Sequence, residues 1–569
     1  MPNSTLFGAF PPVSDEAWLA KIEEDLKGKP FEHLCWPTDE GFTLHPYYRK
    51  ADTSILGFRS MESWQIIQEI PIDDLKLAQM LIEEAQACEI SVFRLYSRQG
   101  KVNLSHLEKL VHHSKSNISL DLPQTLFLAH DDFKRIKSLS VESIIYDPLA
   151  ASVFGKQSLN DLSIQKIAQL YAEKGNRTKW GIDLRYVHES GGNVTQQLAF
   201  ALAMVVEYMD QLSEHFDHRQ VMNLFKKISI NFAIGSNFFM ELAKFRAFRR
   251  LFARLLEVME VETFAPQLIA QTGLWNQTRY DVYNNLLRNT SAAMSAVLGG
   301  ADAVLVSAFD KVSTTENLLS VRLARNIQHL LRAEAYLDHV KDVVAGAYYL
   351  EHITEALADA SWKLFQQIEA EGGMRLAIES GTISSMLASS KQTQLEAVAK
   401  GEKAIIGINR SPNLQEVHFW KSEENEDNSR AAAHFEAVRS AIDAFGQKRN
   451  RRLTAFLLTF GDPGMRNARA SFSRNLLGSG GIAIVENATP DDLTQSFVSI
   501  KELKPDIIVL CSSDADYLAQ ARQIFEAEDQ ALHILAGGMK GDWKVDAQLY
   551  AGMNVLELLT QLAHHFVNT

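Results

Sequence analysis

Short apolar runs alternate with amphipathic helical patterns along most of this chain. The runs lie at 65–70, 90–96, 118–122, 143–146, 181–186, 228–234, 267–271 and 303–307. They have strand length and are mostly apolar, as parallel strands covered on both faces are. Between them apolar residues return at helical spacing over 74–87, 162–174, 194–212 and 238–258. Eight strands with intervening helices predict an α/β fold built on a closed (β/α)8 TIM barrel. The third and fourth connections carry the weakest helical pattern. An open doubly wound sheet is the alternative, but eight units suit closure better.

One unit can be read in full: QTGLWNQTRYDVYNNLLRNTSAAMSAVLGGADAVLVSAFD, residues 271–310. It holds a strand end, a polar aromatic loop, a helix stopped by Gly299-Gly300, and the next strand. The loop gathers Trp275, Arg279, Tyr280, Asp281, Tyr283 and Asn284 within ten positions. Loops at strand C-termini form the ligand face of parallel α/β proteins. A packed loop with its aromatics on the barrel rim is the equal alternative.

Before the barrel, residues 1–50 predict an arm. Ser14-Asp15-Glu16 can cap a helix through Trp18, Ile22 and Leu26. The aromatic stretch after it has too little apolar area for a core, so the arm should wrap its own barrel or a second subunit. The barrel domain spans 51–400 and closes with helices at 318–337, 352–369 and 374–400. Residues 401–452 read as a linker, with the charged run KSEENEDNSR and a helical stretch after it. A second alternation fills 453–569. Its strands are 453–460, 482–485, 507–511 and 532–536, and its helices 467–477, 490–503, 515–527 and 555–567. This predicts a small flavodoxin-like, doubly wound sheet. Ligands of such sheets sit beyond the strand C-termini, here the turns 461–465, 512–514 and 537–538.

Composition narrows the class. The chain has 569 residues, too many for one core, and a formal net charge of -13. That balance argues against nucleic acid or an anionic membrane as partner. Three cysteines far apart, Cys35, Cys88 and Cys511, exclude a disulfide framework and a cysteine zinc site. With no basic-then-apolar start and no membrane-length apolar run, a cytoplasmic protein is expected. No P-loop or H-E-x-x-H pattern is present, and 478–481 reads as a helix end.

Four long strings go further. They are DLRYVHESGGNVTQQLAFALAMVVEYMDQL, ISINFAIGSNFFMELAKFRAFRRLF, RLARNIQHLLRAEAYLDHVKDVVAGAYYLEHITEALADASWKLFQQIEAEGGM and the 271–310 stretch. They closely resemble methylmalonyl-CoA mutase, from about Trp64 to Met374 and more weakly through the C-terminal domain. The arm resembles the start of that family's small subunit. The resemblance implies a radical rearrangement of methylmalonyl-CoA and succinyl-CoA with adenosylcobalamin. It also implies acyl-CoA along the barrel axis, cobalamin between barrel and C-terminal domain, and a cobalt-ligating histidine in D-x-H-x-x-G.

This chain departs from that pattern where the chemistry sits. Pro463, Met465 and Ala468 occupy the Asp, His and Gly positions, so the cobalt-ligand position is Met465. Methionine has no imidazole nitrogen, and proline no carboxylate to orient one. Ser512-Ser513-Asp514 stands for Ser-x-Leu, leaving Ser512, Gly537 and Gly538 as weak remnants. Arg185-Tyr186 stand where the active chain has Tyr-His, with His188 out of register. Leu305 replaces a histidine of the last barrel strand, and a buried leucine donates no hydrogen bond. The family's arginine- and tyrosine-rich first loop is absent after Ile70. Asn231, Asn237, Arg246 and Arg249 read as loop or subunit anchors rather than a phosphate site, and Asp281, Tyr283 and Asn284 as loop anchors.

The expectation is therefore a small subunit without catalytic, cofactor-binding or metal-ligating residues. It would stabilise a catalytic large subunit in a heterodimer, with adenosylcobalamin on the partner. A self-sufficient cobalamin-dependent mutase and an acyl-CoA-sensing regulatory module are the alternatives. An open barrel mouth would favour the sensor, and a filled axis would oppose it.

Overall fold

Eight parallel strands close on themselves because each carries apolar residues on the face turned to the helices. In the computed structural model they are β3 (Gln65–Pro71), β4 (Val92–Tyr96), β5 (Asn117–Asp121), β6 (Ser143–Ile145), β7 (Lys179–Asp183), β8 (Ile228–Ile234), β9 (Gln267–Thr272) and β10 (Ala303–Leu305). The ring closes where Ala303 of β10 pairs with Gln65 of β3. The structure describes residues 13–49, 63–90, 92–98, 100–114, 117–123, 130–153, 166–167, 169–171, 178–313, 317–418, 430–490, 492–518, 531–538 and 545–567. Most of the predicted helices at 162–174 and 515–527, and 421–429 of the charged run, lie outside these residues.

The outer helices follow from caps and apolar stripes. Asp74 accepts from the amides of Lys76 and Leu77 and starts Leu75–Ala87 directly after β3. Asn193 and Gln196 form a capping box at Val194–Ser213. That helix is buried nearly all round, because Tyr348–Ala370 packs across both it and Phe238–Val258. The arm precedes the barrel as helix Asp15–Asp25 and a hairpin, β1 (Trp36–Pro37) with β2 (Thr43–Leu44).

Several boundaries differ from the sequence expectation, among them the last barrel strand, which ends at Leu305, and the helix from Leu318, which ends at Ala333; three others have a local cause. The strand expected to 186 ends at Asp183, whose carboxylate accepts from the Arg185 amide at 3.0 Å and turns the chain into helix Arg185–Glu189. The helix expected over 374–400 is two, Gly373–Glu379 and Thr382–Ala399. They meet at Gly381, whose φ of +80° breaks the helical path. The helix expected from 467 starts at Pro463, where proline's missing N–H costs nothing.

The second unit is a five-stranded parallel sheet in the order β12-β11-β13-β14-β15, which is the flavodoxin-like order. The strands are β11 (Thr454–Thr459), β12 (Ala483–Glu486), β13 (Ile507–Cys511), β14 (Leu532–Ala536) and β15 (Ala547–Leu549). The last, three residues at an edge, has too little pattern to read from sequence. Within 401–452 the described residues are packed rather than a bare tether. Ile405, Ile408, Phe435 and Ile442 share one buried cluster with the sheet's β11 and β13.

The aromatic loop of β9 joins this cluster, since Trp275 and Tyr280 are buried in it. The Tyr280 hydroxyl lies 2.6 Å from the His418 carbonyl and 2.9 Å from the Asp443 carboxylate. Arg439 stacks over its ring at 4.1 Å. Backbone amides of Arg279 and Asp281 donate to Glu436 and Glu416, and Arg430 donates to the Gln277 carbonyl. The loop at the ligand face is thus the bracket that holds the second unit to the barrel. Tyr280→Phe should lower stability by about 1–3 kcal/mol in denaturant unfolding, because it leaves the buried Asp443 carboxylate short of a donor. An unchanged midpoint would mean that the bracket lies elsewhere.

Candidate functional site

Two places in this architecture could receive a ligand: the barrel axis with its C-terminal rim, and the strand ends of the open sheet. Inward positions along barrel strands repeat every second residue. The lower axis is apolar, with Ile67, Val92, Ile269, Ala303 and Leu305 in contact. Ser119 and Ser143 hydrogen-bond beside them at 2.8 Å.

The next layer is charged. Arg94 is fully buried and donates to Gln271 Oε1 at 3.1 Å and Asn231 Oδ1 at 2.8 Å. Arg185 reaches in from the rim. It grips Asp183 through two nitrogens, at 2.7 and 2.8 Å, and donates to Asp121 at 2.6 Å and Gln271 at 2.9 Å. Gln271 in turn donates to Glu69, which pairs with Lys311. Three cations thus face three carboxylates across the axis. Burial opposes ionisation of Asp121, but Arg185 outweighs it and holds the carboxyl below its usual range. Burial, with repulsion from Arg185, lowers Arg94 to about 10, which leaves it charged at neutral pH.

This plug crosses the axis at the level of Arg94, Arg185 and Lys311, where a ligand running along the axis would have to pass. It is packed tightly enough that a Cβ on Gly181 would meet Ile145 Cγ1 at 2.8 Å and Asn231 Nδ2 at 3.1 Å. Leu305 is part of the apolar floor, Arg185 part of the plug, and Tyr186 is turned toward Met204. His188 is buried between the backbones of Gly235 and Gly273, where a Cβ on Gly273 would lie 2.5 Å from its Nε2. Burial, then Lys244 and Lys403, drive its pKa down to about 3. The imidazole is therefore neutral and shielded, unlike a general acid working near neutral pH.

The arginines of the best-matching helix are occupied. Arg246 bonds Thr354, Asp342 and Glu351, and Arg249 bonds the Gly300 carbonyl and Asp302. Asn231 serves the plug, and Asn237 caps Phe238–Val258. Asp281 holds Asn284 at 2.6 Å, while Tyr283 is exposed and tilts against Phe309.

In the open sheet, strand order reverses between β11 and β13, so the crevice lies between Gly461 and Ser512. Asp516 fills it. Its Oδ2 accepts from the Asp462 amide at 3.0 Å, Ser512 Oγ at 3.1 Å and Ser513 Oγ at 2.6 Å. A Cβ on Gly461 would lie 2.2 Å from that oxygen. Ser512 is fully buried and donates to the Phe460 carbonyl. Tyr517 bridges the ends of β13 and β14 through the carbonyls of Leu510 and Ala536. Arg469 lies over Gly537, its Cζ 2.9 Å from where a Cβ would be, and pairs with Asp514. Gly538 abuts Tyr550. Pro463, Met465 and Ala468 are exposed on the first turns of their helix, and Asp462 caps it at the Met465 amide, 2.8 Å.

The structure therefore brings Ser512 and Gly537 to the crevice but leaves Met465 outside it. Sequence reasoning missed the plug and the fillers Arg469, Asp516 and Tyr517. The plug had a signal: Glu69, Arg94, Asp121 and Asp183 are charges at inward positions of otherwise apolar strands. No group of three or more histidine, cysteine or acidic side chains fit to hold a metal ion occurs among the described residues.

Sequence comparison with known proteins finds relatives in the methylmalonyl-CoA mutase family. The family model for methylmalonyl-CoA mutase matches residues 170–459. A methylmalonyl-CoA mutase small subunit from Porphyromonas gingivalis is 30% identical, with 97% of each chain covered. A probable methylmalonyl-CoA mutase small subunit from Mycobacterium bovis is 32% identical over 73% of this chain and 69% of its own. A methylmalonyl-CoA mutase from Rhizobium meliloti is 35% identical over 40% of this chain and 32% of its own.

Arg94→Met should cost about 3–5 kcal/mol in denaturant unfolding, because it leaves the axis one cation short with Asn231 and Gln271 unanswered. A loss under 1 kcal/mol would mean that water already reaches this layer.

Proposed function

This chain belongs to the methylmalonyl-CoA mutase family, and on that premise we propose that it is the small, non-catalytic subunit of a heterodimer. Its work is to stabilise the large subunit, which carries adenosylcobalamin and rearranges methylmalonyl-CoA and succinyl-CoA. The observation that carries the reading is that the chain's own side chains fill both ligand places. Glu69, Arg94, Asp121, Asp183, Arg185 and Lys311 take the axis, and Arg469, Asp516 and Tyr517 take the switch-point crevice.

Cobalamin does not fit the residues present. Met465 offers a thioether on an exposed helix turn, and Pro463 and Ala468 beside it offer neither carboxylate nor clearance inside the crevice. No step of the rearrangement is assigned to this chain. The filled axis also weighs against an acyl-CoA sensor and against a self-sufficient mutase.

A partner is supported by the arm. Helix Asp15–Asp25 buries none of its residues, and Val13, Leu19, Leu34 and Trp36 are exposed near it. Apolar surface of this kind marks an interaction site. Cys35, Cys88 and Cys511 are free thiols, which suits a reducing cytoplasm. No helix among the described residues is long and apolar enough to cross a membrane.

The test is expression with and without the large subunit, reading size, bound cobalamin and mutase activity. Alone, the chain should be colourless and inactive. Together they should form a one-to-one complex whose cobalamin and turnover track the partner. Cobalamin or turnover in the chain alone would overturn the proposal. The double substitution Pro463→Asp and Met465→His should not restore cobalamin binding, since Asp516 and Arg469 still fill the crevice; a red protein would contradict this.

A further inference from the structure

The hairpin of the arm sits on the chain's own barrel, at the rim. Asn193 Nδ2 donates to the Asp39 carbonyl at 2.6 Å, and Thr195 Oγ1 to the Glu40 carbonyl at 3.1 Å. Both donors lie at the start of helix Val194–Ser213. Leu44 is buried in the barrel cluster, and Tyr48 stacks on His352 at 4.2 Å. The Glu40 side chain is turned into this contact and is 9% exposed.

The charges that face Glu40 come from three elements. Asp39 adjoins it on the hairpin. Glu241 and Lys244 project from helix Phe238–Val258, and Lys403 from the loop after Thr382–Ala399. Both cations are already matched. Lys244 pairs with Glu241, and Lys403 with Asp39 at 3.0 Å. His188, which lies against Gly235 beside Glu241, is neutral. An ionised Glu40 would therefore be one negative charge too many in a buried place.

We propose that the arm hairpin is a proton-dependent latch, seated on its own barrel while the Glu40 carboxyl is neutral and released when that carboxyl ionises. Burial, then the charge of Asp39, pushes Glu40 from the ordinary 4.5 up to about 7. The seated state thus holds the proton more tightly than the released one. Seating is at full strength below about pH 4.5, weakens as pH rises, and levels off above about 7. The latch concerns this chain alone and does not depend on the partner proposed above.

Amide exchange on the full-length chain tests it. The hairpin has only two residue pairs, Trp36↔Leu44 and Pro37↔Thr43, too few to persist once released. Its protection factor, which divides out the intrinsic pH dependence of exchange, is compared with that of β8 in the same sample. Between pH 5 and 7 it should fall roughly fortyfold in the wild type and stay level in Glu40→Gln. A level wild type, or the same fall in Glu40→Gln, would overturn the latch. Should Glu40→Gln also expose β8, Thr195→Val decides. Lower hairpin protection at pH 5 with the pH dependence kept supports the latch, and unchanged protection refutes the seat.

Discussion

Charge balance inside the barrel is the constraint on which the rest depends. A parallel barrel buries its inward side chains as a packed core. Charges placed there must neutralise one another and find every hydrogen bond, or the ring opens to water. Here Arg94 and Arg185 are held by Asn231, Gln271, Asp121 and Asp183, so residues from five strands, β4, β5, β7, β8 and β9, must be in register at once. Gly181 follows from the same crowding, since nothing larger fits beside Ile145 and Asn231. The layer that in an open barrel would line a channel becomes the tie between strands.

With the axis closed, the rim has a different task. Trp275 and Tyr280 lie among residues of the second unit, and the acidic groups Glu416, Glu436 and Asp443 meet them there. An aromatic, polar loop at a strand C-terminus looks the same in sequence whether it awaits a ligand or a domain, because both need rings to bury and hydrogen bonds to satisfy. The difference is in what stands opposite, and that is decided over a hundred residues away.

The same logic sets what could be read before the structure. All eight barrel strands were legible, because burial on both faces makes them apolar runs. The second sheet was legible for four of its five strands. The three-residue edge strand Ala547–Leu549 carries no pattern of its own. The loss of the histidine, carboxylate and glycine positions at Met465, Pro463 and Ala468 was visible as residue identity. What replaced the ligand was not, because Arg469, Asp516 and Tyr517 act through distance rather than spacing. The seat of the arm on Thr195 and Asn193 was equally hidden, being a contact between residues some 155 positions apart.

Asp516 carries one more implication. Its carboxylate is held where the open sheet would meet an anion, and the Ser513 and Ser512 hydroxyls with the Asp462 amide keep it ionised. The chain thus supplies its own competitor, tethered in place. A tethered group acts at an effective concentration of millimolar or more. A diffusing phosphate or carboxylate at micromolar levels would have to displace a group of its own charge that is already joined to the chain and already hydrogen-bonded there.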